Sequence, residues 1–176
     1  IFSEEKIKMK KIITISIYLL CIHLTANAQV TQEWVARYNG LSSTNNSPSA
    51  IAVDKAGNVY VTGVSWRIYE SHNFLTVKYN SNGDTVWTHT FGGNEDASDI
   101  PRAIAVDSQG NVFVGGETDW RWGTPDFVTI KYYPSGGTAW IAQYNGSQNN
   151  YDYFRAMALD GEDNIYVTGE FYSSGT

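Results

Sequence analysis

Three tryptophans, Trp34, Trp87 and Trp140, stand 53 residues apart, and the same interval separates Asp54, Asp107 and Asp160. It also links Asn58 with Asn111 and Asn164, and Gly63 with Gly116 and Gly169. Laid over residues 87–139, residues 34–86 agree at nineteen of 53 positions without a gap, so one supersecondary unit is repeated in tandem. Whatever is shared between copies is expected to build the unit. Specificity is expected where the copies differ.

Each copy holds four runs suited to strands. In the first they are Ala50–Val53, Asn58–Thr62, Phe74–Tyr79 and Thr85–Phe91. They are rich in β-branched and aromatic residues and are bounded by Gly, Asn, Asp and Ser. None has the length or 3.6-residue period of a helix. The connections alternate in kind. Asp54–Asn58 and Asn80–Asp84 have the chemistry of tight hairpin turns. Residues 64–73, and 39–49 with their copies at 92–102 and 145–155, form longer connections. Four antiparallel strands in a repeat of this length predict the blade of a β-propeller. In the third copy Asp163 replaces the turn glycine of Gly57 and Gly110, and Asp is among the residues that tolerate a left-handed conformation.

The pattern Ala-Ile-Ala-Val-Asp-x-x-Gly-Asn-Val-Tyr-Val-Thr-Gly, then Phe-Leu-Thr-Val-Lys-Tyr-Asn-x-x-Gly and Trp, resembles the bacterial SBBP β-propeller repeat family. The resemblance runs from residue 34 to 176. It implies an all-β, extracytoplasmic protein, and it brings no catalytic residues to carry over.

The register divides the chain into repeats 34–86, 87–139 and 140–176. The last stops before its third and fourth strands, so an incomplete, open propeller is expected. Trp34–Tyr38 falls where a fourth strand belongs, with no inner three strands ahead of it. The remaining blades of a longer chain are therefore its expected partners. Ahead of the repeats, Lys10 and Lys11, the apolar run Ile12–Leu24 and Ala26-Asn27-Ala28 read as a signal peptide over 9–28, helical over 10–25 and cleaved after Ala28. Residues 1–8 read as upstream readthrough. The apolar run is too short to favour a membrane span. The expected location is secreted or at the outer cell surface.

Residues 29–176 carry 8 Lys and Arg against 16 Asp and Glu, which argues against a nucleic-acid partner. They contain no Cys, and His72 and His89 lie in different elements, so neither a metal site nor a cofactor is implied. The repeated aspartates open turns and are expected to bond nearby backbone rather than run acid–base chemistry or bind calcium. The repeated tryptophans are expected between blades, with Trp87 and Trp140 largely buried and Trp34 more exposed.

The variable long connections remain. They hold Ser65-Trp66-Arg67-Ile68-Tyr69 in the first copy, Asp119-Trp120-Arg121-Trp122 in the second and Phe171-Tyr172 in the third. Strand direction places them on one end of the blades. Trp66, Arg67, Tyr69, Trp120, Arg121 and Trp122 are the candidate ligand anchors, for a glycan or a protein. Arg102 and Arg155 precede the inner strand and suit either an anion at the axial channel or a neighbouring acid. Residues 94–99 and 145–152 are expected to be solvated loops. The chain is read as a non-catalytic binding or display module. The opposing reading is the propeller portion of an extracellular polysaccharide-active hydrolase or lyase, since the fold alone does not choose.

Overall fold

Ten strands, all antiparallel to their neighbours, make three sheets in the computed structural model, which describes residues 31–38, 45–66, 72–92, 97–118, 124–146 and 150–171. The first sheet takes its strands in chain order: β1 (Asn46–Val53), β2 (Val59–Trp66), β3 (His72–Tyr79) and β4 (Thr85–Phe91). The second repeats that order with β5 (Ile100–Val106), β6 (Val112–Thr118), β7 (Asp126–Tyr132) and β8 (Thr138–Tyr144). The third pairs β9 (Asp152–Leu159) with β10 (Ile165–Phe171). This is the expected all-β arrangement of four-stranded blades, open rather than closed. The described strands all belong to one compact unit, Trp34–Thr176. The expected signal segment lies outside the described residues.

The turns follow the sequence. Gly57, Gly110, Gly83 and Gly136 all take positive φ, between 81° and 94°, and Asp163 holds the same place at 64°. The inner strands depart from it. β1, β5 and β9 begin earlier than the Ala-rich runs, and each carries a bulge in which Ser49, Arg102 or Arg155 is the extra residue. Opposite each bulge stands the repeated glycine. A Cβ on Gly63, Gly116 or Gly169 would lie 2.3, 2.2 or 2.6 Å from the carbonyl oxygen of Ser47, Ile100 or Tyr153. Glycine within a strand commonly marks such a close backbone approach.

Burial depends on flanking. β6, in the sheet with neighbours on both sides, is buried along its whole length, whereas its counterpart β10 is mostly exposed. The principal core lies between the first two sheets. Tyr60 and Phe74 meet Val112, Val114, Val128, Ile130 and Tyr132 there, with Trp87 and Phe91 packed alongside. Trp87 sits between Tyr60 and Tyr132, at centroid separations of 6.2 and 6.0 Å, and its Nε1–H donates to the Pro134 carbonyl at 3.1 Å. At the next joint Phe154 presses on Gly115, where a Cβ would come within 2.3 Å of its ring.

Three expectations about the tryptophans need correction. Trp87 is half-buried rather than largely buried. Trp140 is 38% exposed rather than buried, because the sheet beyond it has only two strands among the described residues and offers no third-strand tyrosine. Trp34 is half-buried, tilted against Tyr79 at 6.1 Å and laid over Gly83. It repeats the seat of Trp87 on Tyr132 and Gly136 one interval earlier. The Trp34–Tyr38 stretch, expected as a strand, takes part in no described ladder.

Candidate functional site

Antiparallel order separates the two ends of the blades. At one end the β1–β2, β5–β6 and β9–β10 turns converge around a cavity of about 560 Å³. Its repeated aspartates are consumed by their own turns. Asp54 Oδ1 accepts the N–H groups of Ala56 and Asn58, both at 2.9 Å, and Oδ2 accepts the Asn58 amide and the Tyr60 hydroxyl at 2.7 and 2.9 Å. Asp107 does the same for Gln109 and Asn111, and Asp160 for Glu162, Asn164 and Tyr166. The Asp163 carboxylate accepts from the N–H and hydroxyl of Ser108, joining two sheets.

These bonds set the charge states. Partial burial alone would raise the Asp54 carboxyl, but the donors from Asn58, Tyr60 and Ala56 together hold it below its ordinary value. The Asn164 side-chain amide, followed by the Asn164 N–H, is foremost in holding Asp160 at about 2. Such carboxylates are poor general acids, which need a raised pKa. Folded pKa values below the unfolded one mean stability that is present above about pH 4 and lost as pH falls toward 2. Denaturation midpoints should therefore hold steady from pH 7 to 5 and then fall between pH 4 and 2. Asp160→Asn should make that fall shallower.

Asp107 is the most enclosed of the three. It is 6% exposed, and Lys131 Nζ stands 3.6 Å from its Oδ2. Asp107→Ala should cost about 2 kcal/mol by stranding buried N–H donors. Asp160→Ala, at an exposed turn, should cost less. Urea denaturation of the two variants checks the order.

The opposite end holds the long connections. Trp66 closes β2 there, 41% exposed, with its ring edge-on to His72 at 4.3 Å. Arg67, Tyr69, Trp120, Arg121 and Trp122 lie outside the described residues. Arg102 and Arg155 are the bulge residues of β5 and β9. Arg102 Nε donates to Glu117 at 2.8 Å, and an Arg155 terminal nitrogen donates to Glu170 at 2.7 Å. Of the two partners offered by the sequence, the neighbouring acid is the one each arginine meets. The Glu170 carboxyl is held below its usual range, chiefly by the Arg155 hydrogen bond. Trp66, Arg102 and Arg155 stand on three different sheets, and no described contact brings them together.

Two features at this end were not anticipated. Tyr151 and Tyr153 stack at 6.1 Å with planes 16° apart, and the Arg155 guanidinium lies 5.6 Å over the Tyr153 ring. The alternation Tyr151, Tyr153, Arg155 was the available signal. The second concerns the loops expected to be solvated. Asp99 and Asp152, at their ends, are 0% and 1% exposed. Their N–H groups donate to the His72 and Pro125 carbonyls of the preceding sheet at 2.8 and 2.7 Å, and the Asp152 carboxylate accepts Gly146 N–H at 2.6 Å. These residues fasten sheets together. Among the described residues no three His, Cys, Asp or Glu side chains converge to hold a metal ion.

Compared with known protein families, residues 33–70 and 86–119 match the SBBP beta-propeller repeat. The chain carries SBBP repeats. Each matched segment begins beside a repeated tryptophan and runs through the inner two strands, the part of the SBBP unit holding the bulge, the Asp turn and the repeated glycine. Comparison with curated proteins gave no match.

Proposed function

We propose that this SBBP propeller module is a secreted or cell-surface, non-catalytic binding or display unit, whose glycan or protein ligand meets the long-connection end. The observation that carries this reading is the division of labour between the two ends. At the tight-turn end, every copy spends its aspartate on four or three local hydrogen bonds and leaves little variable chemistry. At the other end the copies differ, and Trp66 and Tyr151 stand 41% and 48% exposed. Exposed aromatic rings suit stacking on sugar faces or anchoring a protein.

The variable Arg–Glu pairs support the same end. The first copy has Ser49 and Val64 where the later copies have Arg102 with Glu117 and Arg155 with Glu170. A glycan and protein array probed with the full chain tests the proposal. Trp66→Ala and Trp120→Ala should each weaken binding at least tenfold, while Lys55→Ala at a tight turn should leave it unchanged. Binding lost only through the tight-turn change, with folding intact, would refute the assignment of the face.

A further inference from the structure

The inner-strand bulge is common to all three sheets, but its occupant is not. β1 makes it around Ser49, with Val64 following the repeated glycine on β2. β5 and β9 make it around Arg102 and Arg155, with Glu117 and Glu170 in the place of Val64. The first sheet shows that a small neutral pair suffices for the bulge, so the charged pair has another reason to be there. Stability is a poor one. The Glu117 side chain is 2% exposed, and the cost of burying a carboxylate offsets much of what its ion pair contributes. The geometry offers a better one. Glu117 Oε2 accepts the Nε–H of Arg102 at 2.8 Å, and the two terminal nitrogens of that guanidinium make no bond among the described residues. The Arg102 side chain stays 44% exposed although β5 runs between β1 and β9. A planar fork held from behind by a buried acid is preorganised for two parallel bonds to a ligand carboxylate.

We propose, on the reading that the long-connection end binds a glycan, that Arg102 binds a carboxylate there, that Glu117 positions it, and that the ligand is a glycan containing uronic acid. The surroundings select a sugar acid. β9, beside β5, carries a second guanidinium, Arg155, 5.6 Å over the Tyr153 ring. Tyr151 stacks on Tyr153 at 6.1 Å and is 48% exposed. An exposed ring near a guanidinium suits the flat face of a sugar together with its carboxylate. The chain carries 12 Lys and Arg against 18 Asp and Glu, so a densely sulfated or phosphorylated polymer would be repelled. A sugar with a single carboxylate is the better match.

The test titrates the full chain with trigalacturonate and with its neutral methyl ester. The acid should bind, and the ester about tenfold more weakly or not at all. Arg102→Lys should weaken binding of the acid about tenfold, because an ammonium keeps the charge and loses the fork. Glu117→Val leaves the guanidinium unheld and should lower the preference for acid over ester with Arg102 intact. Arg102→Ser combined with Glu117→Val copies the first sheet, so it should keep the melting temperature and lose the acid. Equal binding of acid and ester, or full affinity in Arg102→Lys or in the double variant, overturns the proposal. An unchanged preference in Glu117→Val overturns the positioning role. Equal binding of triglutamate would make the occupant an acidic peptide and overturns the glycan. A chain that ignores trigalacturonate but binds a neutral glycan sensitive to Trp66→Ala overturns the carboxylate site and leaves the binding end standing. A chain that binds no glycan overturns both.

Discussion

Replacing Gly116 with alanine should cost about 3 kcal/mol, the upper end of the usual range for overpacking. The new Cβ would stand 2.2 Å from the Ile100 carbonyl oxygen, 2.7 Å from Pro101 Cα and 2.8 Å from Phe74 Cζ. Two of those neighbours are backbone, so no rotamer change clears them. The third is a buried ring from the neighbouring sheet. The bulge at Arg102 would have to open, disturbing the β5–β6 ladder and the joint together. Gly161→Ala is the matched comparison, because nothing lies within 4 Å of a Cβ there, and it should stay within about 0.5 kcal/mol of the parent. Chemical denaturation of both variants decides the matter. Equal stability would mean that the bulge yields freely.

Trp87→Ala should also cost about 3 kcal/mol, the low end for loss of a large aromatic, since the ring is half-buried. The ring lies between Tyr60 and Tyr132, over Gly136, with its indole N–H on the Pro134 carbonyl. Its removal opens the seam between two sheets and strands no charged group, so the effect is one of lost packing. Trp140→Ala should cost clearly less, because Trp140 meets Phe113 of its own sheet and is 38% exposed. The two residues are equivalent in sequence. A measured difference between them would report the contribution of the facing sheet alone.

That contrast shows where sequence reading reaches its limit. The strands of the sheets apart from their inner-strand starts, the alternation of tight and long connections, and the role of Asp54, Asp107 and Asp160 were legible, because each is decided by residues a few positions apart, whereas Trp34–Tyr38, expected as a strand, joins no described ladder. The left-handed Asp163 was legible for the same reason. The inner-strand bulge was not. Its extra residue changes from Ser49 to Arg102 to Arg155, and its one repeated trace, the glycine at 63, 116 and 169, lies on another strand. The burial of Trp140 was misjudged because it depends on a sheet contributed by the next repeat. Asp99 and Asp152 were misread because their polar composition resembles that of a solvated loop, whereas their backbone bonds to the preceding sheet draw them inside. Of the candidate anchors, Trp66 was placed at the expected end and left exposed. The arginine pairs were half-legible: acid and base lie fifteen residues apart in both later copies, a spacing that spans a hairpin.

The contact of Phe154 with Gly115 bears on how such a chain finds its order. One interval earlier, the corresponding positions hold Pro101 and Thr62, and the Thr62 hydroxyl is bonded inward to the Leu75 carbonyl at 3.2 Å. A large ring meets a glycine at one joint, where the equivalent positions one interval earlier are a proline and a threonine. The repeats are alike in fold but not interchangeable as neighbours. Set against the first sheet, the third would drive its phenylalanine into Thr62. Set against the second, it finds a vacancy of the right size. Near-identical units stacked along one chain are prone to pairing out of sequence. Here the difference in bulk at these two positions would disfavour the third sheet in the place of the second.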